Sequence, residues 1–229
     1  MNKIVLFIIL IFISGNLKAQ SNLQQITFGA GAGFATAYTG TQSQKTTFAR
    51  FVDAGYYPIP FFNINIEGQA GSMAGTAPNA QSIDHKSFNN NYRAAILNAE
   101  FQAGLFFDYQ KSDFLNAIKN IYIGTGFGLL NNNIINVNIN DLQVTNHIKN
   151  TIHIIPFKLG YEFNLLNRYN EPKLKADLSY SFNYTIGRGL DGYYDSNTKA
   201  LYFYNYYTIG LQYAISLVHR SGKRHYKLQ

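Results

Sequence analysis

Polar and apolar residues alternate with a period of two through most of the chain, the signature of strands whose two faces meet different surroundings. Over 26–38, Ile26, Phe28, Ala30, Ala32, Phe34 and Tyr38 oppose Thr27, Gly29, Gly31, Gly33 and Ala35. Over 47–57, Val52, Ala54 and Tyr56 oppose Asp53 and Gly55, and over 61–72, Phe62, Ile64, Ile66 and Ala70 oppose Asn63, Asn65, Glu67 and Gln69. Over 93–109, Leu97, Ala99, Phe101, Ala103, Leu105 and Phe107 oppose Asn98, Glu100, Gln102 and Gly104. The pattern recurs over 119–130, 148–163, 173–186 and 201–217, the last pairing Tyr207, Ile209, Leu211, Tyr213 and Ile215 against Thr208, Gly210 and Gln212. This predicts about eight strands of about ten residues or more, long enough to cross a bilayer at a tilt.

The connections alternate in kind. Pro58–Pro60, Lys111–Ala117 and Leu165–Pro172 read as short turns. Gly40–Thr46, Gly75–Asn91, Asn132–His147 and Arg188–Ala200 read as longer, more polar loops. Short turns on one side and long loops on the other are what an even-stranded membrane barrel with both termini in the periplasm requires. The expected fold is therefore an all-β, eight-stranded, antiparallel, up-and-down transmembrane β-barrel.

Which face meets lipid separates this class from a soluble barrel, whose apolar residues point inward. The minor face here carries Asp53, Glu67, Gln69, Glu100, Gln102, Lys158, Glu162, Lys175 and Asp177. Burying those charges in a dry core is very costly. In a polar lumen the carboxylates can pair with Lys158 and Lys175, so these nine residues are expected to form a structural network. The interleaved glycines would leave room for side chains such as Tyr122.

A leader precedes the strands. Lys3 starts it, Ile4–Ile13 is its apolar core, and Ala19-Gln20 is the expected cleavage point, so residues 1–19 read as a signal peptide. The core is shorter than the roughly 20 residues of a spanning helix. Residues 20–218 are the expected barrel and 219–229 a basic periplasmic tail. Formal charge is +7, yet charged residues are only 14% against 16% aromatics. That balance speaks against nucleic-acid binding and suits a membrane–water interface, where Tyr and Phe sit with one end wet. The chain has no cysteine, which excludes disulfides, thiol metal sites and an acylated cysteine anchor.

Several segments carry a family resemblance: Phe28-Gly29-Ala30-Gly31-Ala32-Gly33, Tyr56-Tyr57-Pro58, Ile66-Glu67-Gly68-Gln69-Ala70-Gly71, Asn120–Gly126, Leu190-Asp191-Gly192-Tyr193 and Ile209-Gly210-Leu211-Gln212-Tyr213. With them the chain resembles the outer-membrane β-barrel domain family of small exported barrels, akin to the OmpX and PorT types. The resemblance implies a monomeric eight-stranded barrel in the outer membrane with no defined activity. One departure is that the chain runs past Tyr213 into basic residues, whereas many such barrels end on an aromatic.

Candidate chemistry is sparse. His147 and His153 would need a Ser and a carboxylate beside them to form the triad of a lipid-modifying enzyme, and their spacing is not a compact metal pair. Arg188–Asp195 holds acidic oxygens without the spacing of a calcium loop. Asn131–Asn140 alternates Asn with Ile and Val. It reads either as a polar loop or as a projecting hairpin whose edge, at Asn136, Asn138 and Asn140, a partner strand could join. No cofactor is expected. The expectation is a non-enzymatic outer-membrane protein with a structural or interaction role: envelope integrity, surface recognition, or an accessory part of a secretion or uptake complex. Its expected partners are outer-membrane lipid, the barrel-assembly machinery and envelope or secretion proteins. A lipid-modifying enzyme and a small-solute pore are the alternatives.

Overall fold

Eight strands pair antiparallel, each with its sequence neighbour, and β1 closes onto β8. They are β1 (Gln25–Tyr38), β2 (Ser43–Ile59), β3 (Phe62–Thr76), β4 (Lys86–Gln102), β5 (Ile121–Asn138), β6 (Val144–Leu166), β7 (Pro172–Ile186) and β8 (Phe203–Ser216). The computed structural model describes residues 24–39, 43–76, 86–138, 144–166, 172–187, 189–192 and 202–217. The expected leader at 1–19, the expected tail at 219–229 and Asn140 lie outside them.

Closure follows from the pattern. Every ladder hydrogen bond is made within the barrel, so no edge needs cover. The alternation puts one face of each strand outward. Phe28, Val52, Ile66, Leu97, Ile123, Phe157, Leu178 and Ile209 are among the large apolar side chains left exposed. On the same wall Tyr38 stacks on Phe203 at 4.7 Å, and Phe203 meets Phe182, also at 4.7 Å.

Two expectations about element boundaries fail. Residues 103–109 are not strand, although their alternation continues that of β4. Gly104 N–H donates to the carbonyl of Lys119 at 2.8 Å and Phe106 N–H to that of Ala103 at 3.0 Å. The backbone thus leaves the ladder at Gln102, and Leu105 lies in a 3₁₀ turn, Ala103–Leu105. The expected turn at Lys111–Ala117 holds a second 3₁₀ turn, Tyr109–Lys111, and a short helix α1, Asp113–Ile118. Ser112 caps this helix through Leu115 N–H at 3.2 Å.

The other failure is in the polar loops. Residues 86–91 belong to β4, and most of 132–147 belongs to β5 and β6. Over the described residues 131–138 this segment is strand, and at Asn136 its edge is not open. Asn136 is paired with Phe88 of β4 on one side and Asn146 of β6 on the other, and Asn138 is paired with Lys86. At Asn136 barrel closure has already used the backbone groups that an added strand would need.

The extra strand length changes the polarity of the wall. Near the rim where β1 begins and β8 ends, the outside is apolar and the inside polar. Toward the opposite, loop rim β1, β2 and β7 keep Phe34, Phe48 and Ile186 exposed, but on β4, β5 and β6 the sense reverses. There Asn89, Asn91, Arg93, Asn131, His147, Lys149, Thr151 and His153 are exposed outward, while Phe88, Tyr92, Ile96, Leu130, Ile134, Ile152 and Ile154 are buried inside. These three strands are thus built like those of a membrane protein at one end and like those of a water-soluble barrel at the other.

Candidate functional site

The lumen is the place where the chain concentrates its charge. Asp53 on β2, Glu67 and Gln69 on β3, Glu100 and Gln102 on β4, Lys175 and Asp177 on β7 and Glu162 on β6 are all buried, and the Lys158 side chain of β6 is 9% exposed. Every expected network residue thus points inward, because inward positions recur every second residue.

Two lysines organise this set. Lys158 Nζ donates to Glu100 Oε1 at 3.1 Å and to Glu67 Oε2 at 3.3 Å. Asn63 Nδ2 donates to the other oxygen of Glu100 at 2.7 Å, and Gln69 Nε2 to the other oxygen of Glu67 at 2.8 Å. Lys175 Nζ donates to Glu162 Oε2 at 3.2 Å and lies 3.6 Å from the ring centre of Tyr57. Gln102 Nε2 shares that oxygen at 2.7 Å, and Tyr57 OH donates to Glu162 Oε1.

The remaining carboxylates are held by neutral donors. Tyr122 OH donates to Asp177 at 2.8 Å. Asn65 Nδ2 and Gln212 Nε2 donate to Asp53 Oδ2 at 2.9 and 3.0 Å. Tyr122 can lie across the lumen because Gly160 faces it. A Cβ on Gly160 would sit 2.4 Å from the Tyr122 ring, so only glycine fits there.

Above this layer the lumen is filled differently. Phe51, Met73, Phe88, Tyr92, Ile96, Leu130, Ile134, Ile154 and Tyr206 pack into one apolar cluster. Leu190, from the segment joining β7 to β8, is buried in the same cluster. An asparagine ladder holds it there. Asn90 Nδ2 donates to Asn132 Oδ1 at 2.7 Å and to the carbonyl of Leu190 at 3.0 Å. Asn132 Nδ2 donates to Asn150 Oδ1 at 2.8 Å, and Asn150 Nδ2 to the carbonyl of Gly189 at 3.1 Å. The sequence reading missed this stopper. Its signal was present in the paired Asn89-Asn90-Asn91 and Asn131-Asn132-Asn133 runs, which look like loop composition.

The other candidates disperse. His147 Nε2 lies 2.6 Å from Asn133 Oδ1 on the outer wall. His153 is also outward, 5.3 Å from the Phe127 ring. Neither is placed with a Ser and a carboxylate among the described residues. Asp191, from the acidic stretch considered for calcium, is buried in the barrel mouth, and residues 188 and 193–195 fall outside the described residues.

An apolar wall closed around a hydrogen-bonded lumen leaves one solvent that fits it, the bilayer. The fold is that of an outer-membrane β-barrel. Among solved structures it is similar to Neisserial surface protein A, at 16% identity over 82% of this chain and 96% of that one, with a TM-score of 0.48. It is similar also to Ail, the attachment invasion locus protein of Yersinia pestis, in complex with the heparin analogue sucrose octasulfate, at 11% identity over 84% and 99%, TM-score 0.48. A third is the outer membrane protein OprG from Pseudomonas aeruginosa, at 8% identity over 86% and 98%, TM-score 0.43. No protein-family model and no curated protein matches the sequence.

Proposed function

We propose that this protein is a non-enzymatic outer-membrane barrel, closed to solutes, whose role is structural or interactive at the cell surface. One observation carries the reading: the lumen is occupied twice over, by the lysine–carboxylate network and by the apolar cluster around Leu190. A barrel of about eight strands encloses only enough space for its own side chains. Lys158 and Lys175 already satisfy carboxylates that a permeating cation would otherwise meet. With its termini toward the periplasm, the polar-walled end projects from the cell and the charged lumen sits at membrane depth.

The nine lumenal polar residues serve, in this reading, to hold the barrel's cross-section. Outer-membrane lipid is the direct partner of its apolar wall, the assembly machinery its partner during insertion, and envelope or secretion proteins its partners at the exposed rim. The test is electrical. The purified, folded full chain inserted in planar bilayers should show little steady conductance. Stable, reproducible single-channel currents from monodisperse protein would overturn the closed-barrel reading in favour of a small-solute pore.

A further inference from the structure

Charge is segregated between the two sides of the wall. The carboxylates of the described strands, Asp53, Glu67, Glu100, Glu162 and Asp177, all face the lumen. Asp108 and Asp113 lie in the β4–β5 connection near the terminal rim, and Asp191 is buried in the mouth. Toward the loop rim, the outer wall carries Arg50, Arg93 and Lys149, all exposed. Every ion pair among the described residues is lumenal. These three cations therefore face outward with no carboxylate within 4.0 Å among the described residues.

Strand register brings the three together. Arg50 of β2 is paired with Ala70 of β3, and Ala70 with Arg93 of β4. The two arginines thus flank an alanine two strands apart, or about 10 Å at the usual strand spacing. Lys149 of β6 is paired with Asn133, which is paired with Asn91, in the outward row next toward the loop rim. Ala70 and Ser72 are small, so the wall dips between the longer side chains. The result is a dent of about 650 Å³ lined by Phe48, Arg50, Arg93, Asn91, Asn133 and Lys149.

Position selects the ligand. Val52 and Leu97, the exposed apolar residues below Arg50 and Arg93 on the same strands, belong to the lipid-facing belt. Phe48 and Phe34, 6.4 Å apart edge to face, form an apolar flank beside the dent. A ligand fitting here has an anionic head at the arginines and an apolar body along the wall below. We propose that this dent binds the phosphate-bearing headgroup of an outer-leaflet lipid. Arginine supplies the planar fork that phosphate oxygens match, and Asn91 and Asn133 add neutral donors. The proposal rests on the outer-membrane reading above, with the loop rim facing outward.

The test uses the full chain folded into phosphatidylcholine vesicles, with insertion checked first by heat-dependent gel migration. Failure to insert would sink the membrane reading itself, independently of the site. The probe is a phosphorylated acyl-glucosamine disaccharide added to the vesicles, counted on the extracted barrel by native mass spectrometry. We expect retention of the phosphorylated lipid but not of its dephosphorylated form. R50Q/R93Q should weaken retention about thirtyfold, from roughly one interfacial charge contribution per arginine. R50K/R93K keeps the charge but loses the fork, so its retention should fall between those of the parent and R50Q/R93Q, and K111Q/K119Q at the opposite rim should change nothing. Should the glutamine pair fail to fold, Lys149→Gln reads the same site with a smaller loss. Equal retention of the dephosphorylated lipid, or an unchanged R50Q/R93Q or Lys149→Gln, would overturn the proposal. So would tighter binding of a soluble sulfated saccharide than of the lipid, since the site would then serve a polyanion in solution.

Discussion

Glu162 is the residue whose loss the barrel should tolerate least. It is 1% exposed and Lys175 is 3% exposed. Its two oxygens receive Tyr57 OH, Gln102 Nε2 and Lys175 Nζ. Glu162→Gln removes the only carboxylate among the described residues within salt-bridge distance of Lys175, and the Tyr57 ring beneath that ammonium offsets only part of the loss. Removing one partner of a buried pair costs about 3–5 kcal/mol, because the other charge stays buried without compensation. Glu67→Gln should cost less, since Lys158 keeps Glu100 at 3.1 Å. Lys175→Met removes the second charge as well, so the double variant should recover much of the loss. A double-mutant cycle should give a coupling of about 2–3 kcal/mol. The assay is a urea titration of the folded barrel in lipid vesicles, read by the separation of folded and unfolded bands on unheated gels and by circular dichroism. A coupling below about 0.5 kcal/mol, the range of an exposed pair, would refute the view that this network holds the lumen together.

Two further substitutions test the register of the wall. Ile209→Arg, at a position 65% exposed on the outer face, should destabilise the inserted barrel by about 2–4 kcal/mol near the bilayer midplane. Thr208→Asn, one residue away and inward, should cost less in the same urea titration, and equal losses would mean the faces are assigned the wrong way round. Gly160→Val should drive Tyr122 out of its position over Gly160 and break its bond to Asp177, lowering the unfolding midpoint. An unchanged midpoint would show that the ring has room elsewhere.

The lipid-facing half of the barrel was legible because each strand obeys one rule: apolar positions recur every second residue, and no chain segment competes for them. Glu67, Glu100, Glu162 and Lys158 fell out as lumenal from the same rule. The sequence misled where composition and geometry part company. Leu105 and Phe107 continue the alternation of β4, but alternation reports which side a residue faces, not whether its backbone stays in the ladder. The Gly104-to-Lys119 bond decides that, and it joins residues fifteen apart. Its one local clue was Ser112 ahead of Asp113-Phe114-Leu115, a helix cap. Asn89–Asn91 and Asn131–Asn133 failed for the opposite reason. Asparagine is a turn residue by propensity, yet inside a closed barrel Asn90 and Asn132 satisfy each other and the backbone of Leu190. Propensity yields here to hydrogen bonds made across strands.

The reversal of polarity along the barrel fixes its depth in the membrane, and two strands agree on where. On β8 the exposed large apolar residues run from Tyr207 to Leu217, with half-buried Phe203 above Asn205, and on β6 from Phe157 to Leu165, with half-buried Ile155 next above. Ten residues of strand extend about 33 Å, which at a tilt near 40° spans about 25 Å, the height of an outer-membrane apolar band. Above Ile155, β6 turns outward with His153, Thr151, Lys149 and His147, none of which belongs in hydrocarbon. On β4 the belt is short, Leu97 to Phe101, but the connection that follows exposes Leu105, Phe106 and Phe114 and continues the apolar surface past the end of the strand. The departure of residues 103–109 from the ladder thus leaves their apolar pattern intact, because the same surroundings select it. Arg93 then stands where the belt ends on β4, and Arg50 stands near its upper end on β2, with Phe48 the exposed apolar residue beyond it. A barrel sliding deeper would drag these two guanidinium groups into hydrocarbon at about 2–4 kcal/mol each, and one sliding outward would expose the apolar band to water. The energetic minimum between those costs puts the basic dent at the level of the lipid headgroups.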